Sequence, residues 1–145
     1  MESAHELGRP LSVIFCDVDH FKSVNDKFGH QVGDTVLQNF GKVILRCMRQ
    51  LDVPTRYGGE EFAIILPATD RAGAKTAAER LRKMLEKQEM MVGGGRAINV
   101  TASFGVSTMD KDFQPSDAAA LVKMADDSVY AAKHAGRNRV CVHGE

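Results

Sequence analysis

Two acidic pairs carry the clearest potential for chemistry. Asp17-Val18-Asp19 closes the apolar run Leu11 to Cys16, and Glu60-Glu61 follows the adjacent glycines Gly58-Gly59. Carboxylates leaving a buried strand suit a hard divalent cation, because Mg²⁺ selects oxygen ligands. If the strand persists, Asp17 and Asp19 share a face while Val18 points away. Two acids at a tight turn repel each other unless water or a metal relieves them. Glycine beside them lets a ligand approach the backbone closely. Taken singly, each pair also reads as a solvated strand end or hairpin tip. Together they become a metal site if the hairpin lies beside the first strand and brings Glu60 towards Asp17. One carboxylate there is also a candidate proton acceptor.

Lys22, Lys133 and Arg137 are the cations suited to a phosphate chain, Arg as a fork and Lys as a point charge. Each also reads as a solvated helix end. No GxxxxGK[ST] loop is present, and Gly93-Gly94-Gly95 is not GxGxxG. Asn25, His30 and Asp34 gather around one helix entrance. Asn and Asp match the donors and acceptor of a guanine edge, and equally serve turns and caps. Arg49 and Asp52 stand three apart at a helix end. They form either a local ion pair, worth ~0.3–0.5 kcal/mol, or part of a second phosphate and base site. The RxxD pattern alone does not distinguish these.

These residues need elements to position them. Leu11 to Cys16 reads as a buried strand and Phe21 to Phe28 as a short helix closed by Gly29. A longer helix, about Gly33 to Gln50, carries Val36, Leu37, Phe40, Val43, Ile44 and Cys47 on one face. Asp34 falls in its first turn, Arg46 and Arg49 in its last, and Pro54 ends it. A hairpin follows, Thr55 to Tyr57 and Glu61 to Leu66 around Gly58-Gly59. Thr69 or Asp70 caps the next helix. Met90 to Val92 and Ile98 to Val106 flank the glycine triplet, the second segment alternating apolar and polar. Pro115-Ser116 opens a last helix ending near Gly136, and Arg139 to Val142 forms a final strand. The expected class is α+β, a mixed sheet of about five or six strands covered by helices.

Composition narrows the function classes. The chain of 145 residues is one domain of ordinary size, 43% hydrophobic and 26% charged. Lys+Arg and Asp+Glu both total 19, so net charge is zero, which argues against a broad nucleic-acid surface. No apolar run approaches a bilayer span, and Met1 to Pro10 has no signal-peptide core. Cys16, Cys47 and Cys141 fit neither a zinc spacing nor a disulfide framework, pointing to a reducing cytoplasm.

The strings as a set resemble the GGDEF family of diguanylate cyclases. The matching segments are Phe15-Cys16-Asp17-Val18-Asp19-His20-Phe21-Lys22, Asn25-Asp26, Gly29-His30 and Gly33-Asp34. Arg56-Tyr57-Gly58-Gly59-Glu60-Glu61-Phe62 is the signature in its GGEEF form. Thr101 to Val106, Ala125-Asp126-Asp127, Tyr130 to Lys133 and Gly136-Arg137-Asn138 follow in order, so the match runs from about residue 10 to 140. The resemblance implies a fold similar to the palm of nucleotidyl cyclases and polymerases. It implies condensation of two GTP into cyclic di-GMP with release of two pyrophosphates.

By the same resemblance, Asp17, the Val18 carbonyl and Glu60 would bind Mg²⁺, with Mn²⁺ as the alternative. Glu60 would help deprotonate the attacking 3′-hydroxyl, and Glu61 belongs to the signature beside it. Lys22 would stabilise charge at the reacting phosphates, and Lys133 and Arg137 would hold the distal ones. Asn25, His30 and Asp34 would contact the nucleotide, Asn25 and Asp34 reading guanine. Arg49 to Asp52 has the spacing of the family's inhibitory RxxD, with Arg80 as its third basic position, so stacked product would bind there. Each domain would hold one GTP, so catalysis requires a C2-like, weak homodimer. The whole of 1–145 reads as one catalytic domain that lacks the family's DxLTGLxNR-like segment in Met1 to Pro10. It is expected to be an excised or short natural domain, with an upstream sensor in a longer parent chain that is either cytoplasmic or membrane-anchored. No nucleic acid or membrane contact is expected of the domain itself. Two other classes fit part of the pattern: a silent receptor binding cyclic di-GMP through Arg49, Asp52 and Arg80, or a scaffold. Asp17, Lys22, Glu60 and Glu61 together favour the enzyme.

Overall fold

Leu11 to Cys16 is apolar at nearly every position, which suits a strand covered on both faces. In the computed structural model, which describes residues 9–145, this segment is β1 (Leu11–Val18), the middle strand of a five-stranded sheet. The other elements in chain order are α1 (Phe21–Phe28), α2 (His30–Cys47), β2 (Val53–Arg56), β3 (Glu61–Pro67) and α3 (Arg71–Lys87). Then come β4 (Met90–Met91), β5 (Ala97–Ile98), β6 (Ala102–Met109), α4 (Ala118–His134) and β7 (Val140–Val142). Met1 to Gly8, where the DxLT-like segment and a signal-peptide core were sought, lies outside the described residues.

The sheet order is β2-β3-β1-β6-β7, antiparallel throughout except for the parallel pair β6–β7. It is therefore mixed, as expected. β4 and β5 form a separate two-stranded ribbon. One face of the sheet packs Ile14, Cys16, Ile64 and Phe104 against Phe40 and Ile44 of α2 and Leu81 and Leu85 of α3. The other face packs Val13, Phe15 and Ala63 against Leu121, Ala125 and Val129 of α4. Every residue of β6 is buried, including the polar members of its alternating pattern. The reason is α4, which covers that side; Ser107 Oγ donates to the Leu121 carbonyl at 2.7 Å. Gly105 is required there, since a Cβ would run into the Ala125 carbonyl and the Val129 nitrogen of α4.

Several boundaries differ from expectation for local reasons. α2 starts at His30, because Gly29 (φ 93°) breaks the backbone and lets a new helix begin at once. Asp34 therefore sits in the second turn. α2 ends at Cys47, before Arg49: the Asp52 carboxylate accepts the Arg49 N–H at 2.9 Å and replaces the helical pattern with a turn. Pro54 does not end the helix but lies in β2, an edge strand where a missing N–H is tolerated. The segment Ile98 to Val106 splits, because the Asn99 amide bonds the Glu86 and Gln88 carbonyls and bends the chain between β5 and β6. Asp70 caps α3 through the Gly73 N–H, but α4 is capped by Asp117 through the Ala120 N–H rather than opened by Pro115-Ser116.

Candidate active site

β1 delivers Asp17 to the edge of the core opposite two neighbours, Glu61 of β3 and Ser103 of β6. The β2–β3 turn folds over the same end. Tyr57 and Gly58 N–H groups close it on the Glu61 carbonyl, and the Val18 N–H donates to the Glu60 carbonyl at 3.4 Å. That last bond places Glu60 beside the exit of β1, the juxtaposition the two acidic pairs required. Lys133, in the last turn of α4, reaches the same point, its Nζ 3.7 Å from Asp17 Oδ1.

The electrostatics are unfavourable to the carboxylates. Burial pushes the Asp17 carboxyl up to about 6; Lys133 opposes the shift, and Glu60, Glu61 and Asp19 add to it. Glu61 is raised too, by burial, then Asp126 on α4 and Glu60, with Lys133 opposing. Lys22, the second residue of α1, and Arg137, in the turn after α4, are exposed, and neither joins an ion pair among the described residues.

Asn25, His30 and Asp34 lie across the α1–α2 junction. His30 and Asp34 are exposed, whereas Asn25 is half-buried and its Oδ1 is buried without a hydrogen-bond partner among the described residues. Gly33, the neighbour of Asp34, makes room for it: a Cβ at that position would collide with Asn25 Oδ1. An unpartnered buried acceptor costs free energy until a donor arrives.

Arg49, Asp52 and Arg80 line one cavity of about 150 Å³ together with Cys47, Leu66 and Thr69. Arg49 Nη2 lies 3.0 Å from Asp52 Oδ1 and Nε 3.4 Å from Oδ2, and Nη2 also donates to Thr69 Oγ1 at 2.6 Å and the Pro67 carbonyl at 3.0 Å. The Asp52 hydrogen bond and charge hold the Arg49 guanidinium yet more firmly protonated. The local ion pair and the shared cavity thus coexist.

A family model described as "Diguanylate cyclase, GGDEF domain" matches residues 1–139. The chain belongs to the GGDEF family. It is 42% identical over 140 residues to diguanylate cyclase A of Treponema denticola, covering 97% of this chain and 37% of that protein. It is 44% identical over 134 residues to response regulator PleD of Caulobacter vibrioides, covering 92% of this chain and 29% of that protein. The GGDEF domain thus spans about a third of the length of these relatives. Among solved structures, the active GGEEF domain of a diguanylate cyclase from Vibrio cholerae matches with TM-score 0.89 and 33% identity, over 99% of this chain and 89% of that one. The GGDEF domain of DgcB from Caulobacter crescentus, in complex with c-di-GMP, matches with TM-score 0.91 and 31% identity, over 99% and 84%.

The donor set of this GGDEF domain fits Mg²⁺. Among the described residues no three His, Cys, Asp or Glu side chains form a ready cage. Mg²⁺ does not need one, since it is held by one or two carboxylates and completed by substrate phosphates and water. A crowded set of acids with a raised Asp17 is the environment a divalent cation relieves. β1 ends at Val18, and Asp19 turns inward to accept from Thr101, Ser103 and the Asn138 N–H, while both it and Asp17 approach Lys133 Nζ, at 3.5 and 3.7 Å. Asp126 was not singled out as a functional residue, although its charge acts on Glu61. Its only signal was its place in the Ala125-Asp126-Asp127 match.

Proposed function

We propose that this GGDEF domain is a diguanylate cyclase that condenses two GTP into cyclic di-GMP. The observation that carries the reading is the meeting of Asp17, Val18 and Glu60 at the end of β1, beside Lys133 and Glu61. Asp17, the Val18 carbonyl and Glu60 would hold Mg²⁺, with Mn²⁺ as the alternative, which supplies charge neutralisation at the reacting phosphates when bound. Lys22 stabilises charge at the α-phosphate, while Lys133 exchanges its contact with Asp17 for the distal phosphates, joined by Arg137. The buried acceptor of Asn25 takes a guanine donor, and Asp34, with His30 beside it, completes nucleotide contact. Glu60, with Glu61 alongside, accepts the proton of the 3′-hydroxyl. The 3′-oxygen of one GTP bonds to the α-phosphorus of the other, the bond to the β-phosphate bridging oxygen breaks, and pyrophosphate leaves. The second 3′-hydroxyl repeats the step and closes the ring.

One GTP per domain requires two domains face to face, so a weak homodimer is the catalytic unit. Relatives of greater length are consistent with an upstream sensor that drives this pairing. Incubating the pure domain with GTP and Mg²⁺ should yield cyclic di-GMP and pyrophosphate, at a rate rising faster than linearly with protein concentration. Absence of that product from a folded, concentrated sample contradicts the reading. The cavity of Arg49, Asp52 and Arg80 supports product inhibition as a second part of the function: two guanidinium groups suit phosphates or guanine edges, and Asp52 accepts from guanine nitrogens.

A further inference from the structure

Asp19 is the most heavily bonded side chain at the site, and no step above uses it. Its side chain is 1% exposed. Oδ1 accepts from Ser103 Oγ at 2.6 Å and lies 3.5 Å from Lys133 Nζ. Oδ2 accepts from Thr101 Oγ1 at 2.7 Å and from the backbone N–H of Asn138 at 2.9 Å. With both oxygens occupied, this carboxylate is spent on the protein and is not a ligand for a cation. Its bonds join the exit of β1, the start of β6 and the turn after α4, segments 84 and 119 residues distant from Asp19 in the chain.

The third of these segments is the unusual one. Gly136 (φ 123°) leaves α4, and Arg137 (φ 65°) and Asn138 (φ 46°) follow in the left-handed region. Two successive non-glycine residues there are uncommon, and arginine has no special tolerance for it. The turn persists because it is tied down. The Arg137 N–H donates to the Ala132 carbonyl at 3.0 Å, the Asn138 side chain bonds Glu86 and Arg82, and the Asn138 N–H goes to Asp19. Only the last tie connects the turn to the strand end that carries Asp17.

We propose that Asp19 is a positioning residue for nucleotide binding, holding the left-handed turn so that Arg137 faces the distal phosphates of the nucleotide bound at Asp17. The inference rests on the phosphate role given to Arg137 above. A purely architectural Asp19 would, on removal, weaken every nucleotide alike. A positioning Asp19 affects only ligands that carry the phosphates Arg137 reaches.

Calorimetric titration of the domain with 3′-deoxy-GTP and Mg²⁺, which binds without condensing, and separately with GMP, tests this. Arg137→Ala should lower 3′-deoxy-GTP affinity about tenfold, the loss of one charge-assisted contact, and leave GMP unchanged. Asp19→Asn should reproduce that selective loss. The double variant should lose less than the product of the two single losses, because both act through one contact. If Asp19→Asn does not fold, Thr101→Val, which removes a donor orienting the same oxygen, should show the same selectivity at about threefold. Equal losses for both ligands, no loss, or fully multiplicative losses overturn the proposal while leaving the Arg137 assignment standing. Undiminished 3′-deoxy-GTP affinity in Arg137→Ala overturns the Arg137 assignment and this inference with it.

Discussion

At the end of β1, Asp17, Glu60, Glu61 and Asp126 crowd together, and Lys133 is the cation that approaches them, 3.7 Å from Asp17. In the RxxD cavity, Arg49 already reaches both oxygens of Asp52 and donates to two further acceptors, Thr69 and Pro67. The first region has charge in excess and gains when a cation and a nucleotide arrive. The second is internally satisfied, so a ligand there competes with bonds that exist. The first should therefore show large, all-or-none effects of mutation, and the second graded ones.

The largest expected effect is at the crowded end. Asp17→Asn or Glu60→Gln should lower GTP turnover by at least about a thousandfold, the range for removing a group that acts on transition-state charge, with the circular dichroism spectrum unchanged. Near-normal product formation by either folded variant would erase the contrast between the regions. At the satisfied end, Arg49→Ala should weaken cyclic di-GMP binding by about ten- to a hundredfold, as for loss of a charged hydrogen bond, and relieve inhibition while GTP turnover persists. Unchanged product affinity leaves Arg49 as a partner of Asp52 and Thr69 only.

Asn25 sharpens the comparison, since its buried acceptor has no partner among the described residues and is neutral. Asn25→Ala should reduce discrimination of GTP over ATP by about 1–3 kcal/mol, read by competition binding. Equal discrimination in the variant would detach Asn25 from the base. The smallest effect is on stability. Asp17, raised to about 6 in the folded domain, holds its proton more tightly there than in the unfolded chain, so metal-free stability falls as pH rises between about 4 and 6. Asp17→Asn should flatten that slope and raise the metal-free Tm at pH 7 by a few degrees, equivalent to about 1–3 kcal/mol. Added Mg²⁺ should stabilise the wild type but not the variant. A pH-independent Tm over this window, or a variant less stable at pH 7, would show that Lys133 already neutralises the site.

Local patterns carried most of the architecture. β1, the glycine hairpin, the apolar face of α2 and the Asp70 cap were legible because periodicity and turn chemistry decide them within a few residues. The errors lie where a side chain at a distance overrides local preference. Asp52 stops α2 before Arg49, Asn99 bends the chain between β5 and β6, and α4 buries the polar face of β6. Of the site, Asp17 and Glu60 were legible as acids beside a strand and a turn, and their meeting depended on strand pairing that spacing does not determine. Arg80 was legible only through family resemblance, since nothing near it in sequence announces a cavity shared with Arg49. The inward turn of Asp19 could not be read locally, for its partners come from β6 and the turn after α4.

Among the described residues, the only parallel pairing in the main sheet, β6 with β7, joins the last strand to the body of the domain. Phe104 N–H bonds the Arg139 carbonyl at 2.9 Å, directly after the turn that carries Arg137. A growing chain emerging from the ribosome therefore has its acidic end and the junction of Asn25, His30 and Asp34 long before it has Lys133 or Arg137. Until the last strand docks, the unfinished domain has Lys22 but lacks Lys133 and Arg137 at the acidic end. With the phosphate roles proposed above for Lys133 and Arg137, the domain should bind a triphosphate weakly until its last strand has docked.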